Sequence, residues 1–164
     1  MDEKGDIMNN QENKNYEDKM LEAFIQKPDK IFWYKKAFKK FNFNGIDRMA
    51  WNWSWWAFFG SFWFLLYRKA YIPALVLFIL NIISGIIPVI GPSIVGILAG
   101  GFSTYFIYKR YKELKEQIEA VEENEENRIN AMLQMGGYHN WVVWGAIGLN
   151  ILIFVVVALA GSYS

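Results

Sequence analysis

Apolar and polar positions fall in blocks along this chain, and each block has its own period. Tyr16, Met20 and Phe24 recur four residues apart, which predicts a short helix over residues 16–27. Pro28 interrupts it and suits the first turn of a second helix over residues 29–41. There Lys35, Lys36, Lys39 and Lys40 form one stripe, while Ile31, Trp33, Tyr34, Ala37, Phe38 and Phe41 cover the other side. Residues 51–67 are dense with aromatics and end in Arg68-Lys69. Two long stretches then lack Asp, Glu, Lys, Arg and His altogether: Ala70 to Tyr108, and Asn140 to Ser164. A helix needs roughly 20 apolar residues to cross a bilayer. The first stretch therefore predicts two crossings, over residues 70–89 and 93–108, with an outer turn marked by Pro88, Gly91 and Pro92. The second predicts one, over residues 141–161.

Between these stretches, Tyr111, Leu114, Ile118 and Val121 follow a 3-4-3 spacing, with Met132 and Met135 in the same frame. This segment reads as helix outside the membrane. Run straight, it would reach about 40 Å at 1.5 Å per residue. Only Gly136 to Asn140 separate it from the last crossing, so it must fold back near residues 122–127 or lie along the surface; the acidic block at residues 119–126, repelled by anionic headgroups, favours the hairpin. The expected fold is all-α: an integral membrane protein with three transmembrane helices, an aromatic interfacial or re-entrant helix, an amphipathic N-terminal helix and a cytoplasmic helical hairpin. Its parts are a disordered tail (1–15), amphipathic helices (16–50), the aromatic segment and transmembrane hairpin (51–108), the cytoplasmic hairpin (109–137) and the last crossing (138–164).

Charge selects among topologies. The net charge of +1 hides a segregation: residues 1–50 hold ten Lys/Arg and nine Asp/Glu. If residues 51–67 crossed fully from a cytoplasmic N-terminus, Arg68-Lys69 and Lys109-Arg110-Tyr111-Lys112 would lie outside, against the positive-inside tendency. A shallow re-entrant hairpin around Gly60 instead puts every cationic block on the cytoplasmic side. That arrangement is preferred; its rival is a spanning first helix with the N-terminus outside. The expected lipid-interface residues are Lys35, Lys36, Lys39, Lys40, Trp51, Trp53, Trp55, Trp56, Trp63, Arg68, Lys69, Trp141 and Trp144. The basic helix faces either anionic headgroups or the protein's own surface.

Reactive chemistry is sparse. Without cysteine, disulfides, thiolate catalysis and thiolate metal ligands are excluded. His139, the single histidine, lies beside Trp141 with no metal-ligand spacing and no triad arrangement, so no cofactor is expected. Asn81 and Asn150 sit near the middle of their crossings, as helix glue or as the lining of a path. Gly96, Gly100 and Thr104 repeat every four residues and form a small face for close helix packing, within the chain or with a partner. Gly145 and Gly148 form a weaker analogue. Ile118 and Met132 are expected on the apolar seam of the cytoplasmic hairpin. The first 20 residues are polar and partly acidic and lack the pattern of a secretory signal.

The run Asn52-Trp53, Ala57-Phe58-Phe59-Gly60, Trp63 and Leu66-Tyr67-Arg68-Lys69 resembles the signature of an uncharacterised bacterial domain-of-unknown-function family of small inner-membrane proteins. Phe24-Ile25, Tyr34 and Phe43 resemble its approach to the signature, and Tyr105 to Lys109 and Gly136-Gly137 its later landmarks. The chain departs from that pattern at Trp55-Trp56 and at Gln26, where a glycine is common. The resemblance implies a bacterial inner membrane but no activity.

The expected function is a non-catalytic membrane interaction protein: an accessory or assembly subunit of a larger inner-membrane complex, or a self-associating scaffold. The alternative is a small oligomeric transporter or channel with Asn81 and Asn150 facing a pore. Expected partners are anionic lipids and another integral membrane protein or a second copy of the chain, not nucleic acid. The N-terminus and residues 109–137 are expected in the cytoplasm and the C-terminus in the periplasm.

Overall fold

In a computed structural model, which describes residues 3–43, 45–87 and 90–162, the described residues are all-α apart from one hairpin of two two-residue strands. The elements are α1 (Glu3–Ile25), α2 (Pro28–Phe41), β1 (Asn42–Phe43), β2 (Ile46–Asp47), α3 (Trp55–Tyr67), α4 (Tyr71–Ser84), α5 (Ile90–Val121), α6 (Glu125–Met135) and α7 (Asn140–Ser162). They form two stacked layers that share α5. A polar cap contains α1, α2, α6 and the C-terminal half of α5. An apolar layer contains α3, α4, α7 and the N-terminal half of α5.

The expected tail over residues 1–15 differs from what is seen. Helix α1 runs from Glu3, with residues 1–2 outside the described part. Its C-terminal half is seeded by burial of Met20, Phe24 and Ile25, and no proline stops the helix from propagating back. Gln26 ends it with φ +53, a left-handed backbone that costs a non-glycine residue about 1–2 kcal/mol. Its amide offsets part of that by donating to Ala23 O at 3.1 Å and Leu133 O at 2.5 Å.

Helix α2 corrects the lipid-facing reading of the basic segment. Tyr34, Ala37, Phe38 and Phe41 are buried against the protein's own α5, with Phe38 5.2 Å from Tyr108 and 5.6 Å from Tyr111. Only Phe32 and Trp33 of its aromatics remain exposed. Lys35 pairs with Asp18 at 2.5 Å, and Lys36, Lys39 and Lys40 face outward.

The 32-residue α5 is about 48 Å long at 1.5 Å per residue. It joins the expected second crossing and the first cytoplasmic arm without a break, because nothing at Tyr108-Lys109 stops a helix. Gly91 and Pro92, expected in the outer turn, lie in its first turn, and the described part of the turn is residues 85–87. Pro88 lies outside the described residues. The bend near residues 122–127 is present. Asn124 caps α6, its Oδ1 accepting from Glu126 N at 2.9 Å and Asn127 N at 3.2 Å, with Glu125 and Glu126 favourable in the first turn. Ile118 and Met132 both enter the cap core, which α1 completes through Met20 and Phe24.

The β-turn is tied to α5 at Asp47, which accepts from Lys112 Nζ at 2.5 Å and from the Tyr108 hydroxyl at 2.5 Å. These bonds, Lys112 first, hold the carboxyl below its ordinary value of 3.8. A carboxylate depressed in the folded state stabilises above the ordinary range, and the contribution is lost as pH falls through the folded value. An Asp47→Asn protein is therefore expected to lose part of the acid sensitivity of cap melting. Both side chains are partly exposed, so the difference should stay below about 1 kcal/mol. Superimposable melting-versus-acid curves for the two proteins would refute the assignment.

Candidate functional site: a re-entrant aromatic segment and a cation-rimmed groove

Residues 51–67 enter the apolar layer and leave it at the same end. Descending beside α5, Asn52 N donates to Gly101 O at 3.0 Å and Ser54 N to Gly100 O at 2.8 Å. Ser54 then caps α3, its Oγ accepting from Ala57 N at 3.3 Å. At Ser61 the helix breaks, with φ +43 and ψ −124. The Ser61 Oγ accepts from Asn81 Nδ2 at 2.9 Å, which ties the break to α4. The second half of α3 climbs antiparallel to α4, with Phe62 5.1 Å from Phe78, and delivers Arg68-Lys69 to the cap.

The small face of α5 receives this segment. A Cβ at Gly96 would lie 3.4 Å from Phe58, and one at Gly100 2.9 Å from Trp53 and 3.1 Å from Phe58. Gly96, Gly100 and the buried Thr104 thus serve packing within the chain, and their face is covered. Asn81 and Asn150 do not meet. Asn81 serves Ser61, while Asn150 donates to its own helix at Ala146 O, 2.7 Å away.

Arg68 was expected at the lipid interface and is instead buried, 3% exposed. Its Nη1 donates to Ile25 O at 2.9 Å, and its guanidinium lies 4.8 Å from the Tyr34 ring, 5.7 Å from Tyr67 and 5.9 Å from Tyr138. It turns inward because four segments converge on one cation: the end of α1, α2, the end of α3 and the linker before α7. Lys69, with φ +59, donates to Gly136 O. Gly137, at φ +74, donates its N–H to Phe24 O at 2.8 Å and closes the same junction. His139 N donates to Tyr67 O, and its ring nitrogen lies 2.8 Å from the Tyr71 hydroxyl. Burial first, then Lys69 and Arg110, push this imidazole below 6.5, so it is neutral at neutral pH. Among the interface tryptophans, Trp51, Trp55, Trp56, Trp141 and Trp144 are exposed, whereas Trp53 and Trp63 are half-buried.

Between α4 and α5, on the side away from the small face, runs a groove of about 570 Å³. Val76, Leu77, Leu80, Leu98, Ala99 and Phe102 line its apolar length, and Lys69, Lys109 and Arg110 stand at its cap end. The sequence reading missed this site. Its signal is present in retrospect: Ala99, Phe102, Phe106 and Lys109/Arg110 recur at helical spacing on one side of α5. What no periodicity shows is that Lys69, at the foot of the neighbouring helix, joins them. No group of three or more His, Asp or Glu that could hold a metal occurs among the described residues.

No curated protein matches the chain, and no solved structure does. One family does match, over residues 18–110. That span begins in α1, contains the whole re-entrant segment, and ends at Arg110 on the rim of the groove. It stops short of Gly136-Gly137. Since it covers more than half of the chain, the protein belongs to the family described as Protein of unknown function (DUF2628).

Proposed function

We propose that this chain is a non-catalytic integral membrane protein of the bacterial inner membrane, which holds a helical cytoplasmic cap on the bilayer and joins a larger complex as an accessory or assembly subunit, or self-associates as a scaffold. One observation carries the reading. Only 6% of the most apolar window in residues 125–160, which α7 supplies, is buried inside the chain. Such a helix in water would expose a continuous apolar surface far beyond what soluble proteins tolerate. In a membrane it meets lipid or a neighbouring helix, and Gly148, with nothing within 4 Å of its would-be Cβ, leaves room for one.

Helices α5 and α7 are long and apolar enough to cross. At 14 residues α4 spans about 21 Å, short of the roughly 30 Å core. We assign it a third crossing with local thinning at the uncharged α4–α5 turn. The gathering of Lys and Arg in the cap at one end, against the uncharged turn at the other, favours a cytoplasmic cap. The re-entrant path of residues 51–67 supports this arrangement over a spanning first helix, because it returns Arg68-Lys69 to the end that carries Lys109 and Arg110. A transporter draws less support, since Asn81 and Asn150 are spent on separate bonds.

A reporter inserted at Asn124 should read cytoplasmic and one at Ser164 periplasmic. Both on one side would overturn the topology. Purified in mild detergent and crosslinked, the chain should carry a stoichiometric membrane partner or a second copy, and a monomer at every concentration would refute the interaction role.

A further inference from the structure

We propose that the groove between α4 and α5 binds one anionic phospholipid, with its phosphate on Lys69, Lys109 and Arg110 and an acyl chain along Val76, Leu80 and Phe102. This rests on the membrane reading above and adds a specific ligand to it.

The groove has the chemistry of an amphiphile. Its length is walled by aliphatic and aromatic side chains, and its charge is confined to one end. Its volume of about 570 Å³ falls in the range of ligand sites, about 300–1,000 Å³. The cationic end is the end that meets the cap, where a headgroup would stand if the apolar layer is embedded.

The rim cations are not consumed by acids. None of Lys69, Lys109 and Arg110 makes an ion pair within 4.0 Å among the described residues. Lys69 spends one donor on Gly136 O and Arg110 one on Met135 O, and Lys109 is exposed. The buried Nε of Arg110 has no partner. Glu113 is the one carboxylate on the rim, and Asp47 nearby is held by Lys112 and Tyr108. Burial, followed by the neighbouring Arg110, lowers Lys69, and burial lowers Arg110. An anion at the rim would relieve both.

A second feature lies deeper. Ser103 lines the groove at 1% exposure, and its hydroxyl has no hydrogen-bond partner. It sits seven residues before Arg110, about 10 Å along the helix. Its oxygen is sealed beneath the groove wall, so it belongs to the floor of the groove and is not a contact of the lipid.

The test is a lipid competition on the full chain, incorporated in bilayer discs of phosphatidylglycerol and phosphatidylcholine in equal amounts and released into native mass spectrometry. The wild-type protein should retain one phosphatidylglycerol, about tenfold or more over phosphatidylcholine, since each basic residue at an anionic headgroup contributes on the order of fivefold. Lys109→Glu, at an exposed position, should abolish that preference. Val76→Trp, at an exposed position on the groove wall, should expel the lipid whatever its headgroup, and Lys36→Gln, on the far stripe of α2, should change nothing. Equal retention of the two lipids by the wild type, an unaltered preference in Lys109→Glu, or displacement by millimolar inorganic phosphate would each overturn the proposal. Resistance of the same proteins to alkaline extraction from membranes separates the two readings. Extraction of the wild type sinks the membrane assignment, whereas firm insertion without lipid preference sinks the groove alone.

Discussion

An Arg68→Ala protein is expected to melt well below the wild type, through loss of a charge-assisted hydrogen bond and a cation–π contact worth together about 3–5 kcal/mol. The side chain is buried and donates to Ile25 O, the last helical carbonyl of α1, where a cation also meets the negative end of the helix dipole. A charge-assisted bond of this kind is worth about 1.5–3 kcal/mol. The ring of Tyr34, 4.8 Å from the guanidinium, adds about 1–2 kcal/mol for a desolvated cation–π contact. Truncation removes both and leaves a cavity where four segments meet. Arg68→Lys should fall between, since an ammonium keeps the charge but loses the planar stack. Thermal melting followed by circular dichroism in detergent checks the series. A wild-type melting curve for Arg68→Ala would show that the cap and the apolar layer are joined elsewhere.

Gly100→Leu is expected to eject the aromatic segment from α5. Even a methyl group there would lie 2.9 Å from the Trp53 ring and 3.1 Å from Phe58. A larger side chain also separates the backbones whose bonds, Ser54 N to Gly100 O at 2.8 Å and Asn52 N to Gly101 O at 3.0 Å, seat the descending segment. Overpacking costs about 1–3 kcal/mol where a neighbour can shift, and the two lost backbone bonds add about 1 kcal/mol each. Gly96→Ala meets Phe58 only at 3.4 Å and gains helix propensity, so it should change stability by less than about 1 kcal/mol. Tryptophan accessibility to an aqueous quencher, measured with melting, reads the displacement. If Gly100→Leu melts and quenches like the wild type, that face of α5 carries no packing.

Much of the helix layout was legible because its signals are local. The length of the segment and the short linker to the last crossing required a bend, and the bend lies at Asn124; of the 3-4-3 positions Tyr111, Leu114 and Ile118 are buried, whereas Val121 is exposed. Gln26 is informative in the same way. The family resemblance marked it as a position where glycine is common, and its φ of +53 supplies the reason. The basic helix was legible as amphipathic but not as to what its apolar face meets. An apolar stripe reports that something covers it, and the covering surface here is the aromatic row Tyr105, Tyr108 and Tyr111 of α5.

The sequence by itself determined the all-α class, the two uncharged stretches, the segregation of charge and the small face of α5. Each follows from the identities of residues close together along the chain, where helical period and the cost of burying charge act directly. The tertiary structure decided which partner fills each face. Trp53 and Phe58 occupy the glycines, Arg68 turns inward to Ile25 O, and Lys69 joins Lys109 and Arg110 across two helices. These pairings link residues some 40 positions apart, and only the break at Ser61 and the hairpin of α4 and α5 bring them together. No local pattern encodes the direction in which a chain returns after such a break.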